Sequence, residues 1–207
     1  ANFLGKYSAQ NLPVIGAIGK SFKTIYIKRT KEYTPQVHED LINTFNENRN
    51  LVYFPEGTVT DGENVLQFKA GLMSVLFDEV SHNMAGEELR LEKDVVLQPF
   101  AIKLTHVDGK SVEGDIELIR RFSLAGRDPA QDDLIKHIWE VFKTKSMRIE
   151  LTGLSPMKPS DYKDQFEFMN AARQQVADVI APGKPAPPPH KIEIEDIEKT
   201  SSAQNDN

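Results

Sequence analysis

Residues 54–71 read FPEGTVTDGENVLQFKAG, and the fold class turns on how this stretch joins its neighbours. Leu51, Val52, Tyr53 and Phe54 lead into it, an apolar, β-branched and aromatic run with the composition of a short buried strand. Pro55 has no amide hydrogen for a sheet ladder, so the strand is expected to end there. Glu56, Gly57 and Thr58 then leave the sheet edge as an irregular turn, and Asp61-Gly62 marks a second turn. Leu72, Val75, Leu76 and Val80 recur at helical spacing, which predicts a helix over 68–80. Strand end, polar loop, then helix is the place where open α/β sheets hold their ligands.

The same alternation extends in both directions. Upstream, residues 2–6 predict a strand end, Pro13 opens a short apolar helix, and residues 24–27 carry strong β formers. Thr34-Pro35 starts a helix to about residue 48, with Val37, Leu41, Ile42 and Phe45 on one face. Downstream, the polar stretch 81–94 reads as an irregular connection, and 95–102 as a strand interrupted by Pro99. Residues 115–119 alternate like a half-exposed strand, as do 147–151. Asp128-Pro129 opens a helix carrying Leu134, Ile138, Val141 and Phe142, and Ser160 begins another that ends near Ile180. Interleaved strands and helices predict an α/β domain over residues 1–180, a mixed, largely parallel sheet flanked by helices. Residues 181–207 change character, proline-rich in APGKPAPPPHK and then polar and acidic, the composition of a disordered tail.

Composition narrows the function. The chain has 207 residues, enough for one domain at about 100–200 residues each. Hydrophobic residues at 39% suffice for a core. A net charge of −6 argues against nucleic acid as the partner, because duplex binding draws on a basic face. The lack of cysteine excludes disulfides, thiolate nucleophiles and cysteine-based zinc sites. No apolar run approaches the roughly 18 residues of a membrane span.

FPEGT followed by a turn and FKAG resembles the third sequence block of the glycerolipid acyltransferases typified by lysophosphatidate acyltransferase. FLGKYSAQNLPVIGAIGKSFKTIYIKR resembles that family's second block, with its Gly-Lys pair, Pro-x-x-Gly turn and strand ending in arginine. VVLQPFAIKL resembles the fourth block, a strand with a central proline. The three blocks stand in the family's order over about residues 3–104. The resemblance implies a glycerol-3-phosphate acyltransferase-like fold and an acceptor pocket shaped by Lys6, Arg29, Glu56, Gly57 and Thr58. Phe54, Pro55 and Pro99 would support its wall. It implies an acyl-CoA or acyl carrier protein donor, a lysophospholipid acceptor, contact with a membrane surface at its cytoplasmic face, and no metal or other cofactor. The chemistry agrees, since an anionic headgroup calls for a guanidinium fork, a mobile ammonium and close backbone approach at a glycine.

The chain departs from the family pattern twice. The family's His-x-x-x-x-Asp block, in which histidine deprotonates the acceptor hydroxyl and aspartate orients the imidazole, would precede residue 1. Asn43, Ser111, Phe142 and Glu195 stand at the fifth position after His38, His106, His137 and His190. His82 and Glu87 have the spacing but follow the FPEGT block, and His38-Glu39-Asp40 faces too many ways on a helix to hold a metal. No catalytic residue is therefore assigned, and the chain reads as an N-terminally truncated part of a longer enzyme, inactive alone. The second departure is Val59, where many lysophosphatidate enzymes carry arginine. A lost charge-assisted contact is worth roughly 1.5–3 kcal/mol. Lysophosphatidate is the expected acceptor, with another lyso-lipid such as lyso-ornithine lipid, or a non-catalytic lipid-binding role, as alternatives.

Overall fold

The computed structural model describes residues 1–11, 13–27, 34–60, 62–122 and 134–184. Three parallel strands carry the N-terminal half in the order β2-β1-β3: β1 (Asn2–Lys6), β2 (Ile25–Ile27) and β3 (Leu51–Val52). Leu4 pairs with Ile25 and Lys6 with Ile27 on one side, and Asn2 pairs with Leu51 on the other. The crossovers are α1 (Pro13–Ser21) and α2 (Thr34–Asn46). Proline suits the first position of α1, where its missing amide hydrogen has no partner to lose. Asn48 takes a left-handed φ of 55° beyond α2, and the Arg49 amide reaches back to the Thr44 carbonyl, closing the helix end.

The buried stripe Val37, Leu41 and Ile42 of α2 packs with Ile25 and Val75. Inside this layer the Asn2 amide donates to the Thr44 hydroxyl at 3.3 Å, satisfying two buried polar groups.

An antiparallel ladder follows in the order β7-β6-β8: β6 (Phe100–Val107), β7 (Lys110–Ser111) and β8 (Met147–Gly153). A small hairpin of β4 (Ser81–His82) and β5 (Glu88–Leu89) gives order to the connection expected to be irregular over 81–94. Helices α3 (Ile116–Phe122), α4 (Leu134–Phe142) and α5 (Gln165–Ile180) complete the mixed α/β architecture. The larger core lies between α5, β6 and the chain after the FPEGT turn, built from Val65, Phe68, Met73, Ala101, Phe168 and Met169. Phe168 is fully buried and meets Phe77 and Tyr162 edge-on at 5.7 and 5.3 Å.

Other sequence expectations are corrected as well, beginning with the buried strand expected over 51–54, which is Leu51–Val52 only, with Val52 exposed. The helix over 68–80 is a 3-10 helix of Gly71–Leu76 only, because the backbone of 65–69 is bonded to distant groups described below. Residues 115–119 open α3 instead of a strand: the Asp115 carboxylate accepts the Leu118 amide at 2.9 Å, and its carbonyl the Ile119 amide. The strand expected over 95–102 begins at Phe100, immediately after Pro99, and runs on to Val107. Ser160 lies in a 3-10 turn, Pro159–Asp161, and α5 starts only beyond Asp164, which caps the Phe166 and Glu167 amides. The helix start at Asp128-Pro129 and the tail beyond Lys184 lie outside the described residues.

Candidate active site

Because β1, β2 and β3 are parallel, their carboxyl ends share one edge of the sheet. Lys6 ends the central strand there, paired with Ile27, and the FPEGT turn leaves the edge from β3. The Lys6 side chain and all of Arg29 lie outside the described residues.

The turn itself is tightly built. The Gly57 amide donates to the Phe54 carbonyl at 3.1 Å, with Pro55 in the position where its fixed φ suits a β-turn. Gly57 has φ +68°, the backbone conformation that calls for glycine here. The left-handed backbone is strained for other residues. A β-carbon would also lie 2.7 Å from the Lys69 amino nitrogen and 3.1 Å from its Cε. The Lys69 side chain thus crosses the open face of the turn, and its amide donates to the Pro55 carbonyl at 2.9 Å.

Glu56 is directed inward. Its Oε2 accepts the Leu66 amide at 2.9 Å, closing a ten-residue loop on itself. Burial pushes the carboxyl above the ordinary glutamate range, opposed by the Leu66 hydrogen bond and by the positive charge of Arg173. Thr58 and Val59 are exposed on the far limb of the turn, and Pro55 is half-buried. Phe54 is 62% exposed, whereas Tyr53 packs against the larger core and its hydroxyl donates to Met169 Sδ at 3.3 Å. Pro99 is buried and its carbonyl accepts the Leu154 amide.

Two residues of this region escaped the sequence reading. Lys69 belongs to the FKAG string, but its position over Gly57 is a through-space relation. Arg173 had a visible signal: it occupies the apolar stripe of α5 among Met169, Ala172, Val176 and Ala177, where a charge demands a partner. The His82–Glu87 spacing belongs to the β4–β5 hairpin: Glu87 accepts from the Asn83 side chain at 2.8 Å, and its amide donates back to Asn83.

A parallel sheet whose edge carries an FPEGT turn backed by FKAG is the arrangement expected of an acyltransferase. Residues 1–103 match the model of the Acyltransferase family. The chain belongs to the glycerolipid acyltransferase family. It is 26% identical over 174 residues to a lyso-ornithine lipid O-acyltransferase of Pseudomonas aeruginosa, covering 84% of this chain and 57% of that protein. A second lyso-ornithine lipid O-acyltransferase, of Rhodobacter capsulatus, is 28% identical over 52% of this chain and 36% of its own length. A 1-acyl-sn-glycerol-3-phosphate acyltransferase of Neisseria meningitidis serogroup B is 27% identical over 38% of this chain and 31% of its own. The chain thus spans between about a third and somewhat over half of these relatives. No solved structure matches it. Among the described residues no helix is long and apolar enough to cross a membrane.

Proposed function

We propose that the protein from which this chain comes is an O-acyltransferase that moves a fatty acyl group from a thioester donor, acyl-CoA or acyl carrier protein, to a lyso-lipid hydroxyl. The hydroxyl oxygen attacks the thioester carbonyl, the ester forms, and the thiol leaves carrying the proton taken from the hydroxyl. Residues 1–180 would form the acyltransferase domain, a boundary consistent with α5 ending at Ile180. The acceptor headgroup would lie at the carboxyl edge of the parallel sheet, against Lys6, Arg29, Gly57 and Thr58, at the surface of a membrane. Lys69 would add a cation there, and Glu56 would shape the loop from behind. The observation that carries this reading is the FPEGT turn, opened by a left-handed Gly57 and crossed by the Lys69 ammonium, at a sheet edge suited to an anionic group.

For the acceptor we favour an amino-acid lyso-lipid of the lyso-ornithine type. Val59 leaves the turn without the arginine expected of lysophosphatidate enzymes, and the likeness covering 84% of the chain is to a lyso-ornithine lipid O-acyltransferase. Lysophosphatidate is the second reading, favoured by the Lys69 ammonium over the turn. The base is assigned to the family's His-x-x-x-x-Asp block, which these 207 residues do not carry in the family's order. Acyl transfer measured with matched lyso-lipids is therefore expected from the full-length parent and not from the 207-residue chain. Preference of the parent for lysophosphatidate would overturn the acceptor assignment, and turnover by the isolated chain would overturn the assignment of the base.

A further inference from the structure

Beyond the residues matched by the family, α5 holds the site loop from behind at several points. Arg173 is 5% exposed, a guanidinium within an apolar core. Its Nε donates to the carbonyls of Val65 at 3.1 Å and Leu66 at 3.0 Å, and Nη2 donates to Val65 as well. One turn earlier, Asn170 accepts from the Gln67 side chain, and Met169 receives the Tyr53 hydroxyl. Beyond the helix, the Lys184 ammonium donates to the Glu63 carbonyl at 3.0 Å. Segment 63–67 is therefore held by its main chain to the far half of the protein. The amide of Leu66, whose carbonyl Arg173 grips, is the group that Glu56 accepts.

We propose that Arg173 is a positioning residue of the acceptor site, fixing the Val65–Leu66 backbone so that the Leu66 amide holds Glu56 and the turn over 54–58 keeps its shape. This rests on the reading of that turn as the acceptor site. The physical case is that a buried guanidinium has a large desolvation penalty and needs good hydrogen bonds to be tolerated. Here those bonds go to main-chain carbonyls that have no helix or sheet partner, so the cation orders an irregular segment that sequence-local forces leave undetermined. Lysine, a point charge without the planar fork, cannot span both carbonyls in the same way. The charges around Glu56 are consistent with this coupling. Arg173 acts on it from α5, while the Lys69 ammonium lies over Gly57 and Lys184 is engaged at Glu63.

The test uses the 207-residue chain with Arg173→Met, Arg173→Lys and Glu56→Gln, read by residue-resolved amide hydrogen exchange and by titration of the Glu56 carboxyl. Binding is measured in parallel to detergent micelles containing oleoyl lysophosphatidate or a lyso-ornithine lipid. Arg173→Met is expected to speed exchange at the Leu66 and Lys69 amides at least tenfold, to move the Glu56 titration further upward, and to weaken lyso-lipid binding. Arg173→Lys is expected to lie between, and serves if the methionine variant does not fold. Combining Arg173→Met with Glu56→Gln should remove the Glu56 titration and leave the Leu66 exchange rate close to that of Arg173→Met alone, because glutamine keeps an acceptor for that amide. Exchange and titration unchanged in the folded variants would overturn the proposal, as would acceleration spread evenly through α5 and the core. Local exchange and titration effects with lyso-lipid binding unaltered would uphold the clamp and overturn the assignment of the turn as the acceptor site.

Discussion

At the scale of single residues, the FPEGT turn shows how a short motif divides its work. Gly57 gives the backbone its left-handed step, Lys69 covers the glycine, and Glu56 points back into the protein to accept the Leu66 amide. The acidic residue of the motif thereby has a structural role within the turn, as acceptor for a main-chain amide. The electrostatics of Glu56 give a directional prediction. Burial raises its folded-state pKa above the unfolded value, so the folded protein holds this proton more tightly. The associated stability is fully present below the ordinary glutamate range and is lost as pH rises through the raised folded value. Glutamine at 56 keeps an acceptor for Leu66 but cannot ionise. Urea denaturation of both proteins across this window should show Glu56→Gln gaining on the wild type as pH climbs. A difference that stays flat, or moves in the opposite direction, would contradict the burial-dominated shift.

At the scale of elements, caps and through-space bonds decide what periodicity leaves open. In α5 the Asp164 carboxylate accepts the Phe166 and Glu167 amides at 3.0 and 2.9 Å, and Glu167 reaches back to the Lys163 amide. Because α5 carries Phe168, Met169 and Arg173 into the main core, loss of this cap should register in global stability. Asp164→Ala is expected to lower unfolding free energy by about 1 kcal/mol, and Asp164→Asn by much less, in denaturant titrations. Equal effects of the two variants would show that the cap is not the source. The legibility of the fold follows the same division. β2 and α2 were readable because their apolar pattern agrees with their burial, as at Ile25, Val37, Leu41 and Ile42. The D-I-E-L-I alternation of 115–119 fits strand and helix alike, and only the Asp115 cap resolves it. The 3-10 helix of Gly71–Leu76 is short because Glu56, Pro55 and Arg173 bind the backbone just before it, bonds whose partners lie 10 to 108 residues away in sequence. The turn at FPEGT was legible from its residue types; that Arg173 needs a partner was legible too, but which carbonyls it meets was not, since that depends on where α5 packs.

At the scale of the whole molecule, the described residues pack the β6–β8 ladder against α5 around Ala101 and leave apolar side chains of its opposite face exposed. Ala101 turns into the core with Phe168 and Met169 of α5. Its neighbours Phe100 and Ile102 point the other way and are 49% and 52% exposed. Register pairs Ile102 with Leu151 and Leu104 with Ile149, and Ile149 and Leu151 are 59% and 63% exposed. The alternation in β8 is thus reversed from the usual pattern, with Arg148, Glu150 and Thr152 on the side that faces α5 in β6 and the apolar residues outside. Contiguous exposed apolar surface of this kind, beyond a few hundred Å², is uncommon on monomeric soluble proteins and binds apolar probes. The 207-residue chain should therefore enhance the fluorescence of a hydrophobic dye in its native state, and Ile149→Thr with Leu151→Thr should reduce that signal at least about twofold. Threonine has the β-branched shape that strands favour, and both sites are already exposed, so unfolding free energy should stay within about 0.5 kcal/mol of wild type. Loss of dye binding with stability retained would place the apolar surface on this face of the ladder. Dye binding unaffected by both substitutions would mean that Phe100, Ile102, Ile149 and Leu151 do not form the exposed patch that the strand register implies.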